Sequence, residues 1–172
     1  MKKIEKILAQ NLLVLDGAMG TMIQALTLEE DHFRGNILKN HKMPLKGNND
    51  ILTLTHPESI INIHKGFLHA GADIIETNTF NSTSFGQADY GTEHLVYELN
   101  KIGAEIANMA IQKYHDESKS SDSRPKLVAG ILGPTNRTAS MSTDVNSPGS
   151  RAVTFAQLVE SYKEATFGLI DG

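Results

Sequence analysis

Two kinds of hydrophobic pattern alternate along the chain. Short apolar runs at residues 12–15, at Ile74-Ile75 with their flanks, and at 126–129 are each followed by a polar, glycine-bearing turn and then by apolar positions at helical spacing. Runs of this kind predict buried parallel strands. The stretches between them predict helices with defined ends. Thr55 and Glu58 have capping-box spacing around Pro57; Ile60, Ile63 and Phe67 then share one face, and Gly71 is placed to end the helix. Leu95, Leu99, Ile102, Ile106 and Met109 form a longer stripe, for which Thr92 is the expected N-cap. Thr154 and Gln157 repeat the capping box ahead of Leu158, Tyr162, Ala165 and Leu169. Strand, helix, strand, helix, strand, helix is the order of βα units around a parallel sheet, an α/β fold.

Two stretches lack a regular period. Residues 28–54 carry Phe33-Arg34-Gly35-Asn36 and Gly47-Asn48-Asn49-Asp50, and residues 131–153 are rich in Ser, Thr, Asn, Gly and Pro. Both predict long loops, which in a compact domain lean towards function. Residues 116–123 predict a solvated helix-to-strand connection. The last residues, Phe167-Gly168-Leu169-Ile170-Asp171-Gly172, repeat the helix exit seen at 66–73, and the sequence stops where a next strand is due. That predicts the front part of a larger βα fold, because an eight-unit barrel takes ~250 residues. The alternative is a complete small three-layer domain.

Composition narrows the function classes. The 172 residues are 40% hydrophobic and 21% charged, long enough to bury a core. A net charge of −4 leaves no basic field to recruit nucleic acid. The absence of cysteine excludes a disulfide scaffold, a Cys-ligated zinc site and a Cys nucleophile within these residues. No apolar run approaches the ~18 residues of a membrane span. The run at 12–15, closed by Asp16, is too short for a signal peptide, so a cytoplasmic protein is expected.

In parallel βα folds ligands sit at the carboxyl ends of the strands. That rule selects three places. In Asp16-Gly17-Ala18-Met19-Gly20-Thr21 a carboxylate closes the strand and glycines free the backbone amides. The pair suits a zwitterionic amino acid, Asp16 taking the ammonium and the amides the carboxylate; Asp16 capping the following helix is the competing reading. In Glu76-Thr77-Asn78-Thr79-Phe80-Asn81-Ser82-Thr83, Glu76 stands at the mouth of the sheet, either used there or satisfied by neighbouring hydroxyls and amides. Gly133-Pro134-Thr135-Asn136-Arg137-Thr138 is a rigid turn whose Arg137 either grips an anion or is a surface side chain. His64 and His69 are five residues apart and have no metal-ligand spacing; each of the seven histidines reads as surface or packed. Met19, Met22 and Met109 read as core or pocket lining. No serine triad, P-loop or kinase pattern occurs.

Four blocks, in order, carry a family resemblance. They are the stretch from Leu13 to Thr21, Gly47-Asn48-Asn49-Asp50, the stretch from Gly71 to Thr83, and the stretch from Gly133 through Ala139 to Ser140. Together they resemble the N-terminal homocysteine-binding modules of cobalamin-dependent methionine synthases; Asp16-Gly17 and Glu76-Thr77-Asn78-Thr79-Phe80 resemble the wider homocysteine S-methyltransferase family, and the second and fourth blocks tilt towards the cobalamin-dependent branch. The resemblance implies the N-terminal part, about three βα units, of a (β/α)8 TIM barrel, with residues 1–172 a partial homocysteine-binding domain. It implies zinc at the barrel mouth favouring homocysteine as the thiolate, whose sulfur would attack the methyl group of methylcobalamin to give methionine and cob(I)alamin. Methyltetrahydrofolate is then the methyl source, and folate-binding and cobalamin-binding domains of the same parent chain are the partners. Asp16, Gly17, Ala18 and Met19 would hold the amino-acid head group. Glu76, Thr77, Asn78 and Thr79 would line the same mouth, with Gly133, Pro134, Thr135 and Asn136 as another wall. The family's zinc ligands are cysteines of later strands, so this polypeptide by itself is expected to be inactive. Alternatives are a zinc enzyme taking its methyl from betaine or S-methylmethionine, a non-catalytic small-molecule binding domain, and an unrelated βα lyase or aldolase with Glu76 as base.

Overall fold

The computed structural model describes residues 2–117 and 124–172. Helix α1 (Lys2–Leu8) leads through residues 12–16 into α2 (Met19–Ala25) and α3 (Glu30–Arg34). A 3-10 turn (Asn49–Ile51) runs into α4 (Leu52–Thr55), followed by α5 (Pro57–His69), strand β1 (Ile74–Glu76) and α6 (Ser84–Ala88). A second 3-10 turn (Glu93–Leu95) opens α7 (Val96–Glu117); β2 (Leu127–Ala129) and α8 (Phe155–Asp171) complete the order. Residues 118–123, most of the connection expected at 116–123, lie outside the described residues; Asp116 and Glu117 belong to the end of α7.

The sheet is parallel, with β1 in the middle. Ile74, Ile75 and Glu76 pair with Leu127, Val128 and Ala129. On the other side Leu15 bridges to Ile74, and the amide of Asp16 donates to the Ile74 carbonyl at 2.9 Å. The first apolar run is therefore a bridge and not the buried strand its composition predicts. Leu12 is 94% exposed and Leu15 50%, because one flank of this segment has no strand beside it among the described residues. Ile75, flanked on both sides, is fully buried.

Helices α5 and α7 cover this sheet. Ile60, Ile61, Ile63 and Leu68 of α5 meet Leu99, Ile106, Ala107 and Ala110 of α7 in one core, and α8 packs along α7 through Ala165 and Gly168. Burying side chains of this size contributes roughly 1.5–3 kcal/mol each. The α5 stripe is as expected, and its exit is a Schellman turn. Gly71 takes φ 106°, its amide donates to Leu68 O and the Ala72 amide to Phe67 O.

Of three sequence expectations about helix ends, two fail and one holds. The Thr55–Glu58 capping box does not form: Thr55 ends α4 and its hydroxyl donates back to Ile51 O, while Glu58 pairs with Lys113 at 3.3 Å. Thr92 caps nothing with its side chain, which instead donates to Gln87 Oε1 at 2.8 Å. The Thr154–Gln157 box does form, the Gln157 amide donating to Thr154 Oγ1 and the Thr154 amide to Gln157 Oε1. Residues 28–54, expected as a loop, contain α3, a 3-10 turn and most of α4. Glu30 organises that stretch, accepting the amides of Leu45 and Lys46 and pairing with Arg34 at 2.7 Å. Residues 131–153 contain no helix or strand, as expected.

At the amino ends of the strands sits Asp73, fully buried. Its carboxylate accepts the Val14 amide at 3.1 Å and meets Lys126 Nζ at 3.0 Å and Arg124 at 3.2 Å. All three strand segments are thus tied at one end by one side chain. The amide and the two cations outweigh its burial and hold its pKa below the ordinary carboxylate value.

Candidate functional site

The opposite, carboxyl ends of the strands carry the candidate chemistry. Asp16 follows the bridging residue directly and Glu76 is the last residue of β1, so parallel pairing brings two carboxylates side by side. They share a cavity of about 330 Å³ with Gly17, Ala18 and Met19. Asp16 Oδ1 accepts the Glu76 amide at 3.0 Å. It does not cap α2, whose start has no side-chain cap. The turn into α2 runs instead through Ala18 at φ 55° and ψ 30°, a left-handed conformation that costs an L-residue about 1–2 kcal/mol. Burial is the main influence on Asp16; with the Glu76 charge beside it, it raises the Asp16 pKa to about 6 against the opposing amide bond. At neutral pH this is a carboxylate short of a cation.

The segment after Glu76 alternates between the cavity and the core. Asn78 lines the cavity while its amide donates to Asn49 O at 2.9 Å and to Thr53 Oγ1 at 3.3 Å. Thr77, on the cavity, and Thr79, buried behind it, bond each other at 2.7 Å and rivet the next strand's exit. The Ile131 amide donates to Thr77 Oγ1 at 2.9 Å, and Thr79 Oγ1 donates to Ile131 O at 2.8 Å. Ile131 and Phe80, with Gly20, complete the walls. Sequence reading did not single out these three as site residues. Phe80, 60% exposed despite its size, is the kind of aromatic that could have flagged the pocket.

The third predicted segment sits further away. Gly133 supports the pocket from behind: a Cβ there would lie 2.0 Å from Phe80 O, and Tyr162 donates its hydroxyl to Gly133 O at 2.8 Å. Pro134 is exposed, Thr135 bonds Arg137 O, and Asn136 reaches Asp89 at 2.8 Å. Arg137 stacks over Phe85 at 5.2 Å. The structure therefore brings the first two predicted segments together and leaves 134–136 on the outer surface. Of these methionines, Met19 lines the cavity, Met109 is 45% exposed but lines a separate cavity between α5 and α7, and Met22 is 40% exposed.

A second cavity of about 230 Å³ adjoins the first and shares Met19, Gly20, Asn78 and Phe80 with it. Its floor is the Gly47-Asn48-Asn49-Asp50 segment. Asp50 is buried, and its Oδ2 accepts both the Asn81 amide and the Ser82 hydroxyl at 2.7 Å. Burial raises its pKa to about 6 in spite of these bonds. A larger groove of about 1000 Å³, along α8 beside Phe85 and Tyr97, gathers none of the predicted site residues.

The residues present do not form the zinc site that the resemblance implies. The sequence has no cysteine, and no group of three or more His, Asp or Glu side chains among the described residues could hold a metal. Of the histidines, His41 Nε2 bonds Tyr90 O at 2.7 Å, His32 accepts the Glu29 amide, His64 is buried, and His94 and His115 are exposed.

A family model described as homocysteine S-methyltransferase matches residues 13–172. The chain belongs to the homocysteine S-methyltransferase family. Two solved structures of the homocysteine methyltransferase MmuM from Escherichia coli, a metallated and an oxidized form, are similar in fold. Each has a TM-score of 0.68 at 22% identity, over 96% and 95% of this chain respectively. The match covers 52% and 51% of those chains, so this chain spans about half the length of these family members. The small parallel sheet and its covering helices correspond to a fragment of the family's TIM-barrel fold. No helix among the described residues is long and apolar enough to cross a membrane.

Proposed function

We propose that the cavity between Asp16 and Glu76 holds the amino-acid head group of homocysteine, and that the chain is the homocysteine-binding portion of a methyltransferase that makes methionine. The observation that carries this reading is the convergence of two carboxylates on one small cavity that is also lined by an uncapped, glycine-bearing turn. An α-ammonium satisfies Asp16, and the carboxylate of the ligand meets the amides of the turn at Gly17 to Met19. These residues bind and orient; none of them is placed to activate the thiol. A thiol-binding metal would take its ligands from outside these 172 residues. Within the family, the segments Gly47-Asn48-Asn49-Asp50 and Gly133 to Ser140 favour the cobalamin-dependent methionine synthase branch. There methylcobalamin would supply the methyl group and methyltetrahydrofolate would regenerate it, on further domains of the same parent.

Homocysteine titrated into the isotope-labelled protein tests the binding step. Amide signals of Gly17, Ala18, Met19 and Asn78 are expected to shift. Affinity is expected to fall about tenfold between pH 7.5 and 5 as Asp16 takes a proton, since the ligand keeps both its charges over that range. Absent shifts at these amides, or an affinity flat across that range, would contradict the proposal.

A further inference from the structure

The cavity over Gly47 to Asp50 has an acceptor pattern that the amino-acid pocket does not explain. Asp50 is 4% exposed and Asn78 5%. Both hydrogen bonds to Asp50 fall on Oδ2, and both made by Asn78 come from Nδ2. Asp50 Oδ1 and Asn78 Oδ1 receive no hydrogen bond, yet neither is sealed from solvent, unlike the orphaned buried oxygen of Asn100. Two buried residues thus present unbonded oxygens, one of them formally charged, while lining the same small cavity. Water can reach both oxygens, but a carboxylate this buried is matched best by a donor that also carries positive charge, because such charge-assisted bonds are the stronger ones. Asn48, the other buried polar residue of this wall, cannot serve, because its side-chain amide is locked reciprocally to Gln87 at 2.8 and 3.3 Å.

We propose that this second cavity is a subsite for a compact ammonium group, with Asp50 Oδ1 as its counter-charge and Asn78 Oδ1 as a second acceptor. The site is sized for a small primary amine head. The ammonium belongs either to a separate ligand beside the amino acid or to an amino acid reaching across from the first cavity, for the two cavities share walls. The assignment depends on the family reading only for the identity of the neighbouring ligand.

Methylammonium is the probe, with methanol as its neutral isostere, followed by amide signals of the labelled protein. Methylammonium is expected to shift Gly47, Asn49 and Asn81, and methanol at the same concentration to leave them unmoved. Asp50→Asn keeps an oxygen for the Asn81 amide and the Ser82 hydroxyl, so its spectrum should stay dispersed while methylammonium affinity drops at least tenfold. Repeating the titration at saturating homocysteine separates the sources. Undiminished methylammonium binding identifies a separate amine; displacement, with homocysteine itself weakened by Asp50→Asn and not by Asp16→Asn, identifies the amino acid's own ammonium and moves it from Asp16 to Asp50. Equal shifts with methanol, no shift with methylammonium, or unchanged affinity in a folded Asp50→Asn variant would each overturn the subsite. The amides of Gly17 and Ala18, which line only the first cavity, report it independently, so a failure of the homocysteine reading would be seen there and not at Asn49.

Discussion

Asp73→Ala should destabilise the protein by about 3–5 kcal/mol, the range for breaking a buried ion pair. The carboxylate is fully buried where the three strand segments begin, and the Val14 amide, Lys126 and Arg124 converge on it. A loss of that size is a large part of the 5–15 kcal/mol that holds a typical domain together. Urea unfolding checks it, an unchanged slope against denaturant showing that the two proteins expose the same surface on unfolding. Because the folded pKa of Asp73 lies below its unfolded value, its contribution is complete above the ordinary carboxylate pKa. It fades as pH falls through the folded value. Acid sensitivity below pH 4 should therefore be shallower in Asp73→Ala. A stability loss under 1 kcal/mol would mean that strand pairing does not depend on this residue.

His64→Leu should act in the opposite direction, and increasingly so as pH falls. His64 is fully buried on α5 and neither ring nitrogen has a hydrogen-bond partner. Burial alone depresses its pKa from 6.5 to about 4. Between those values the unfolded chain takes a proton that the folded chain refuses, so His64 lowers folding stability as pH drops from 6.5 towards 4, by about 3 kcal/mol in all. Asp16 and Asp50, with folded pKa values raised to about 6, act with the other sign, favouring the folded state as pH falls through 6 towards 3.8. Both are present in either protein, so they cancel in the comparison. Urea unfolding at pH 7, 5.5 and 4 should show the variant gaining on the wild type at each step down. A constant difference would show that His64 finds a partner or water in solution.

The contrast between these residues and the sequence reading follows from where the determining interactions lie. The α8 box was legible because Thr154 and Gln157 satisfy each other within one turn. Thr55 and Thr92 have the same local credentials, but competing partners, Ile51 O and Gln87, draw both side chains away. The first strand looked buried because its apolar run does; burial also needs a neighbour on each flank, which no local pattern encodes. The pairing of Asp16 with Glu76 could be anticipated, since both follow short apolar runs and parallel strands align their carboxyl ends. Residues 134–136 could not be placed, because a loop of Ser, Thr and Asn offers no period from which to fix its path. The Asp50 cavity stayed hidden for a related reason. The segment carrying it has the composition of a loop, and only long-range bonds from Asn81 and Ser82 bury the carboxylate.

Asp16→Asn, measured for homocysteine affinity by calorimetry together with its melting temperature, tests the amino-acid pocket most directly. Asparagine retains an oxygen for the Glu76 amide, so the fold should melt within a few degrees of the wild type. Loss of the charge should weaken homocysteine about 10- to 100-fold, the equivalent of one charge-assisted hydrogen bond. Unchanged affinity in a folded Asp16→Asn variant would contradict the pocket's assignment to the amino-acid head group.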